Sequence, residues 1–126
     1  MRTTSTPNDS DPRLLLEAAR ARVGARLEEL RTSLAEIVAA AESANLDDEH
    51  DPEGATVGFE RAQVQALLDA AHSRLAELDA ATDRLRAGTY GTCASCGQPV
   101  ARARLAARPE TRLCVQCASR DGPAGG

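Results

Sequence analysis

Tryptophan and lysine are absent from this 126-residue chain, and its only aromatic residues are Phe59 and Tyr90. Aromatic side chains bury roughly 150–250 Å² apiece and fill much of an ordinary globular core. A thick aromatic core is therefore excluded. Isoleucine and valine are scarce, which argues against a large β-sheet. No apolar run approaches the ~20 residues of a membrane-spanning helix. Residues 1–11 lack the apolar stretch of a signal peptide. The expectation is a soluble cytoplasmic protein without a membrane partner, in a compartment that keeps thiols reduced.

What is present is alanine, 25 times, with leucine, glutamate and arginine. All are strong helix formers. Asp11-Pro12 reads as an N-cap followed by a first helical residue. The helical pattern runs from there to Asn45. Residues 45–56, with Pro52, Gly54 and many acids, form a break, and the apolar pattern resumes over 57–87. Asp51-Pro52 repeats the cap signature for the second helix. Gly88 stands where a C-cap glycine belongs.

Apolar positions in the first segment are Val23, Leu27, Leu30, Leu34, Ile37 and Ala41, in alternating steps of four and three. In the second they are Val64, Leu68, Ala71, Leu75 and Leu78. This is the a/d rhythm of a coiled-coil seam. The two stripes mirror one another. Leu16 with Leu85, Val23 with Leu78, Leu27 with Leu75, Leu30 with Ala71, Leu34 with Leu68 and Ile37 with Val64 all have residue numbers adding to 101 or 102. Arg20 interrupts one stripe where Thr82 interrupts the other. The expected fold is mainly α: a long antiparallel coiled-coil hairpin with an acidic tip, an arm about 50 Å long at 1.5 Å per residue, then a small four-cysteine zinc finger. The expected division is a disordered N-terminal segment over 1–11, the hairpin over 12–88 with its tip at 45–56, the finger over 89–118 and a flexible tail over 119–126. The hairpin satisfies its own seam, so a monomer is expected.

Cys93, Cys96, Cys114 and Cys117 form two C-x2-C pairs separated by 17 residues. Four thiolates so spaced can surround one tetrahedral zinc with bonds of about 2.3 Å. They leave no open coordination position, so the metal is structural and no catalytic residue is assigned. Disulfides conflict with the compartment, and a redox C-x-x-C conflicts with the duplication of the motif.

Charge is segregated within a net −4. Glu42, Asp47, Asp48, Glu49, Asp51 and Glu53 crowd the break, and one helix cap explains only one or two of them. Residues 84–120 hold seven arginines and a single acid, Glu110. Arg84, Arg86, Arg102, Arg104, Arg108 and Arg112 form a candidate basic docking surface; the plainer alternative is that they only solvate the finger.

The run Tyr90-Gly91-x-Cys93-x-x-Cys96-Gly97, then Arg104-Leu105-x-Ala107-x-Pro109, then Cys114-x-x-Cys117, after a hairpin arm, closely resembles the DksA/TraR family of zinc-finger regulators of bacterial RNA polymerase. The resemblance implies that the hairpin enters the polymerase secondary channel and modulates initiation without sequence-specific DNA contact. It implies that the tip acids Asp47, Asp48, Glu49, Asp51 and Glu53 face the active centre. The alarmone ppGpp cooperates with well-known members, but no residue here is assigned to it. The family tip reads D-x-x-D-x-A. Asp48 and Asp51 match its acids, and Glu53 stands where Ala is expected. Two other readings share these features: a transcript-cleavage factor acting through the same channel, and a zinc-ribbon adaptor for nucleic acid or protein.

Overall fold

The computed structural model describes residues 11–45 and 52–120. Helices come in the order α1 (Pro12–Asn45), α2 (Pro52–Ala87), α3 (Arg102–Ala107) and α4 (Val115–Arg120). Among the described residues the only β pairing is an isolated antiparallel bridge between Thr92 and Pro99. The fold is the expected helical hairpin followed by a four-cysteine module. α2 begins at Pro52, five residues before the apolar pattern resumes, as the Asp51-Pro52 signature implies.

α1 starts as its sequence dictates. The Asp11 carboxylate accepts the Arg13 N–H at 3.0 Å, and the Asp11 carbonyl accepts the Leu15 N–H at 3.0 Å. This satisfies one of the orphan donors of the first turn, and Pro12 has no N–H to satisfy. α2 ends in a Schellman motif. Gly88 donates to the Leu85 carbonyl at 3.2 Å, and Thr89 donates to Arg84 at 2.9 Å. Gly88 has φ +83°, a conformation that costs glycine little.

The chain divides into two units, one of residues up to Ala21 with those from Leu75 onward, the other Arg22–Arg74. In the first unit Leu16, Ala19, Leu78 and Ala81 are buried, the two alanines completely. This corrects the expected register. Arg20 and Thr82 do not occupy the seam; Ala19 and Ala81 do. Arg20 instead turns outward and grips Asp79, Nε to Oδ1 at 2.8 Å and Nη2 to Oδ2 at 3.4 Å. That hydrogen bond holds the Asp79 carboxyl below its ordinary pKa. Thr82 spends its hydroxyl on the Leu78 carbonyl at 3.0 Å. A guanidinium cannot be buried in an apolar seam without a large desolvation cost. A straight helix also drifts against a strict seven-residue repeat, so the neighbouring alanine is at hand to fill the place.

In the second unit Val23, Leu27, Leu30 and Leu68 are buried, while Leu34, Ile37 and Val64 are only half-buried. One groove is lined by Val23 and Arg26 with Ala70 and Arg74, another by Ile37 and Ala40 with Val57 and Val64. Rising numbers on α1 meet falling numbers on α2, so the pairing is antiparallel. Outward arginines meet acids three residues away, Arg26 with Glu29 at 3.3 Å and Arg31 with Glu28 at 2.6 Å.

The corrected register is checked by changing side chains on either side of it. Ala81→Leu overpacks a fully buried site and is expected to cost about 1–3 kcal/mol. Thr82→Ala removes a half-buried hydroxyl and is expected to change stability by about 0.5 kcal/mol or less. Urea unfolding followed by helical circular dichroism distinguishes the two, and equal effects would restore the expected register.

Candidate metal centre

The segment after Gly88 has little apolar material and is organised by backbone hydrogen bonds. Val100 N–H donates to Gly91 at 2.8 Å and Cys93 N–H to Gln98 at 2.8 Å, closing the first cysteine turn around the Thr92–Pro99 bridge. Gly97 completes that turn with φ +78°, its N–H donating to the Cys93 carbonyl at 2.9 Å. Ala94 N–H reaches the Arg112 carbonyl at 2.8 Å, joining the first cysteine pair to the chain just before the second. Cys117 lies in α4, one turn after Cys114. Cys93, Val100 and Cys117 are buried, and Leu105, Leu113 and Cys114 pack on them.

The four sulfurs all lie within 4.8 Å of one another. None is in a disulfide. Cys96 Sγ and Cys114 Sγ are 3.8 Å apart. A tetrahedron of thiolates with 2.3 Å bonds to zinc has an edge of about 3.8 Å, whereas a disulfide needs about 2.05 Å. The donor set therefore fits zinc, and the centre is that of one structural ion. Its surroundings favour ionised sulfur unevenly. Backbone N–H groups of Cys114, Cys96 and Ser95, against burial, bring the Cys93 thiol down to about 6. At Cys96 the Gln98 N–H favours the thiolate, but desolvation and hydrogen bonding with the other three thiols outweigh it and hold the group up to about 11. Four adjacent thiols cannot all shed protons unaided; a divalent cation supplies the charge that lets them.

The loop 109–113, just before Cys114, is fastened by side chains that a charge count alone assigns to the surface or leaves without a role. The Tyr90 hydroxyl donates to the Pro109 carbonyl at 2.8 Å, and burial raises its pKa. Arg84 donates to the carbonyls of Glu110 and Thr111 at 3.3 and 3.5 Å. Arg104 donates through Nε to the Leu113 carbonyl at 2.9 Å and through Nη2 to the Thr111 hydroxyl at 3.2 Å. Glu110, the lone acid among seven arginines, is buried, with the Arg108 guanidinium 3.8 Å from its carboxylate. Its isolation in sequence was the available signal for this. Arg86 pairs with Asp83 at 3.3 Å. Arg102, Arg108 and Arg112 are exposed. An open cleft of about 430 Å³ brings Arg84, Arg104, Arg108 and Arg112 together beside Glu77 and Glu110. The tip residues Asp47, Asp48, Glu49 and Asp51 lie outside the described residues. Glu53 falls in the first turn of α2, with its side chain outside that description. Residues 1–10 and 121–126, the bulk of the expected terminal segments, are likewise outside it.

A helical hairpin followed by a closed four-thiolate zinc module defines a class of zinc-finger protein. Residues 88–121 match the family described as prokaryotic dksA/traR C4-type zinc finger. A protein of Aquifex aeolicus (strain VF5), described only as uncharacterized, is 46% identical over 44 residues, 35% of this chain and 30% of that protein. The chain thus spans less than a third of that relative. The structure of transcription factor DksA2 from Pseudomonas aeruginosa superposes with a TM-score of 0.54 at 22% identity, over 95% of this chain and 90% of that one. Over residues 88–121 the chain is thus similar to the DksA/TraR C4 zinc fingers, and the match does not extend over the rest of it. No helix among the described residues is long and apolar enough to cross a membrane.

Two outcomes test the centre. Stripping zinc with excess chelator is expected to unfold residues 89–120 and leave most of the α1 and α2 helicity, read as loss of finger amide signals with a small change in circular dichroism. Arg104→Lys keeps the charge but not the two-pronged donor. It is expected to destabilise the zinc-loaded finger by about 1–2 kcal/mol, seen as faster amide exchange at Thr111 and Leu113.

Proposed function

We propose that this protein is a bacterial transcription regulator that binds RNA polymerase directly and places its hairpin tip in the secondary channel. The observation that carries the reading is the combination of a DksA/TraR C4 finger with a hairpin of 34- and 36-residue helices, in the fold of a known transcription factor. The arm supplies reach, the finger fixes its base, and the tip supplies carboxylates.

The chemistry follows from charge density. Asp47, Asp48, Glu49, Asp51 and Glu53 place five carboxylates within seven residues. At physiological ionic strength such a cluster acts over about 8 Å, so it works by contact with cationic groups or with polymerase-bound Mg²⁺. It repels nucleic-acid phosphates, so promoter choice arises from altered open-complex lifetime and not from base readout. Arg86, Arg102, Arg108 and Arg112 would meet an acidic surface at the channel mouth. The role is binding, with no catalytic residue, in the cytoplasm and as a monomer. A ppGpp contact is not assigned to any one of the many arginines.

The test separates docking from effect. Asp48→Asn with Asp51→Asn is expected to co-purify with RNA polymerase as the parent does, compete with another secondary-channel binder, and lose its effect on promoter output. Promoter output unchanged from the parent would remove the tip from the mechanism. Failure of the parent chain to bind polymerase would sink the reading as a whole. Shortening of transcripts in backtracked complexes would move it to the cleavage-factor class.

A further inference from the structure

The four sulfurs of the finger receive different kinds of donor. Nearby backbone N–H groups favour the Cys93 thiolate, and the Gln98 N–H favours that of Cys96. Cys114 Sγ accepts the Cys117 N–H at 3.5 Å. Cys117 Sγ accepts instead from a charged side chain, the Arg120 guanidinium, with Nη2 at 3.3 Å. The contact is imposed by α4: residues three apart share a helix face. A plain helix-end cation facing the C-terminal dipole would need no such contact. Cys117 is also almost fully buried, whereas Cys96 is exposed.

A zinc ion with four thiolates carries two excess negative charges. Backbone N–H groups offset part of that, but a guanidinium brings a whole positive charge to a sulfur that water scarcely reaches. Hydrogen bonds from charged donors are roughly twice as strong as neutral ones. Groups that hydrogen-bond to metal ligands commonly hold metal affinity by 10–100-fold.

We propose that Arg120 is a positioning residue of the zinc centre, orienting the Cys117 sulfur and compensating the charge of the loaded site. Metal retention of this kind belongs to the finger itself and holds whether or not the protein acts on polymerase.

The experiment compares the zinc-loaded full chain with Arg120→Met, Arg120→Gln and Arg120→Lys. Arg120→Met is expected to lose zinc to excess EDTA about 10–100-fold faster, with its loaded circular dichroism unchanged. Arg120→Lys should recover most of the difference, and Arg120→Gln little. The gap should narrow at high salt, because the guanidinium is solvent-accessible and screened. In the cobalt-substituted protein the sulfur-to-metal charge-transfer band should shift in Arg120→Met, a readout that a helix-end role would leave in place. Release from Arg120→Met at the parent rate overturns the proposal, as does equal release from the Lys and Gln variants. If Arg120→Met does not load zinc at all, loading by Lys but not by Gln upholds the proposal, and the same result for both overturns it.

Discussion

Everything beyond α2 depends on four sulfurs being brought within one coordination sphere. The residues around them offer Val100, Leu105 and Leu113 as apolar material and little else. Burying one such side chain is worth roughly 1.5–3 kcal/mol, while a structural zinc contributes on the order of 10 kcal/mol or more. The metal thus contributes more than the apolar packing, and the local backbone is arranged for it. The positive φ of Gly91 and Gly97, the Thr92–Pro99 bridge and the Ala94–Arg112 hydrogen bond each serve to aim a cysteine.

The arm rests on different physics. Its seam is one side chain deep on each helix, and its buried residues are leucines, a valine and alanines. Such a seam needs no aromatic ring, which accounts for the near absence of aromatics in the composition. The two kinds of structure meet at Gly88. The Schellman turn stops α2 abruptly, and Arg84, one turn earlier, reaches carbonyls of the loop that precedes Cys114. Tyr90 fastens the same loop from the other side of the turn. One of the two aromatic residues in the chain is therefore spent on a single hydrogen bond to Pro109.

Features set by local spacing were legible in the sequence. The 4–3 apolar rhythm, the Asp11-Pro12 cap, Gly88 as terminator and the paired C-x2-C all encode their structure within a few residues. Features set by tertiary geometry were not. Counting every seventh residue carries the stripe through Arg20 and Thr82, but a 3.6-residue helix and the cost of burying a guanidinium shift it to Ala19 and Ala81. Composition counts Arg84 and Arg104 as surface charge; only the path of the loop 109–113 turns them into donors to its backbone. The acidic break was equally plain in sequence, but most of it lies outside the described residues.

The electrostatic polarity is consequently sharper in some places and weaker in others than a charge count suggests. Of the seven arginines over residues 84–120, Arg84 and Arg104 are turned to carbonyls and Arg120 to a cysteine sulfur. Arg86 and Arg108 stand beside Asp83 and Glu110. Arg102 and Arg112 make no side-chain hydrogen bond or ion pair among the described residues, and both are exposed. A zinc–tetrathiolate centre subtracts two further charges from the same region. The positive face of the finger is therefore narrow and concentrated at a few side chains, not spread over the domain. Narrow charge suits recognition of one acidic patch on a protein. Tracking a nucleic-acid backbone calls for many phosphate contacts side by side, whereas among the described residues of the finger only Arg102 and Arg112 are exposed arginines without a side-chain partner.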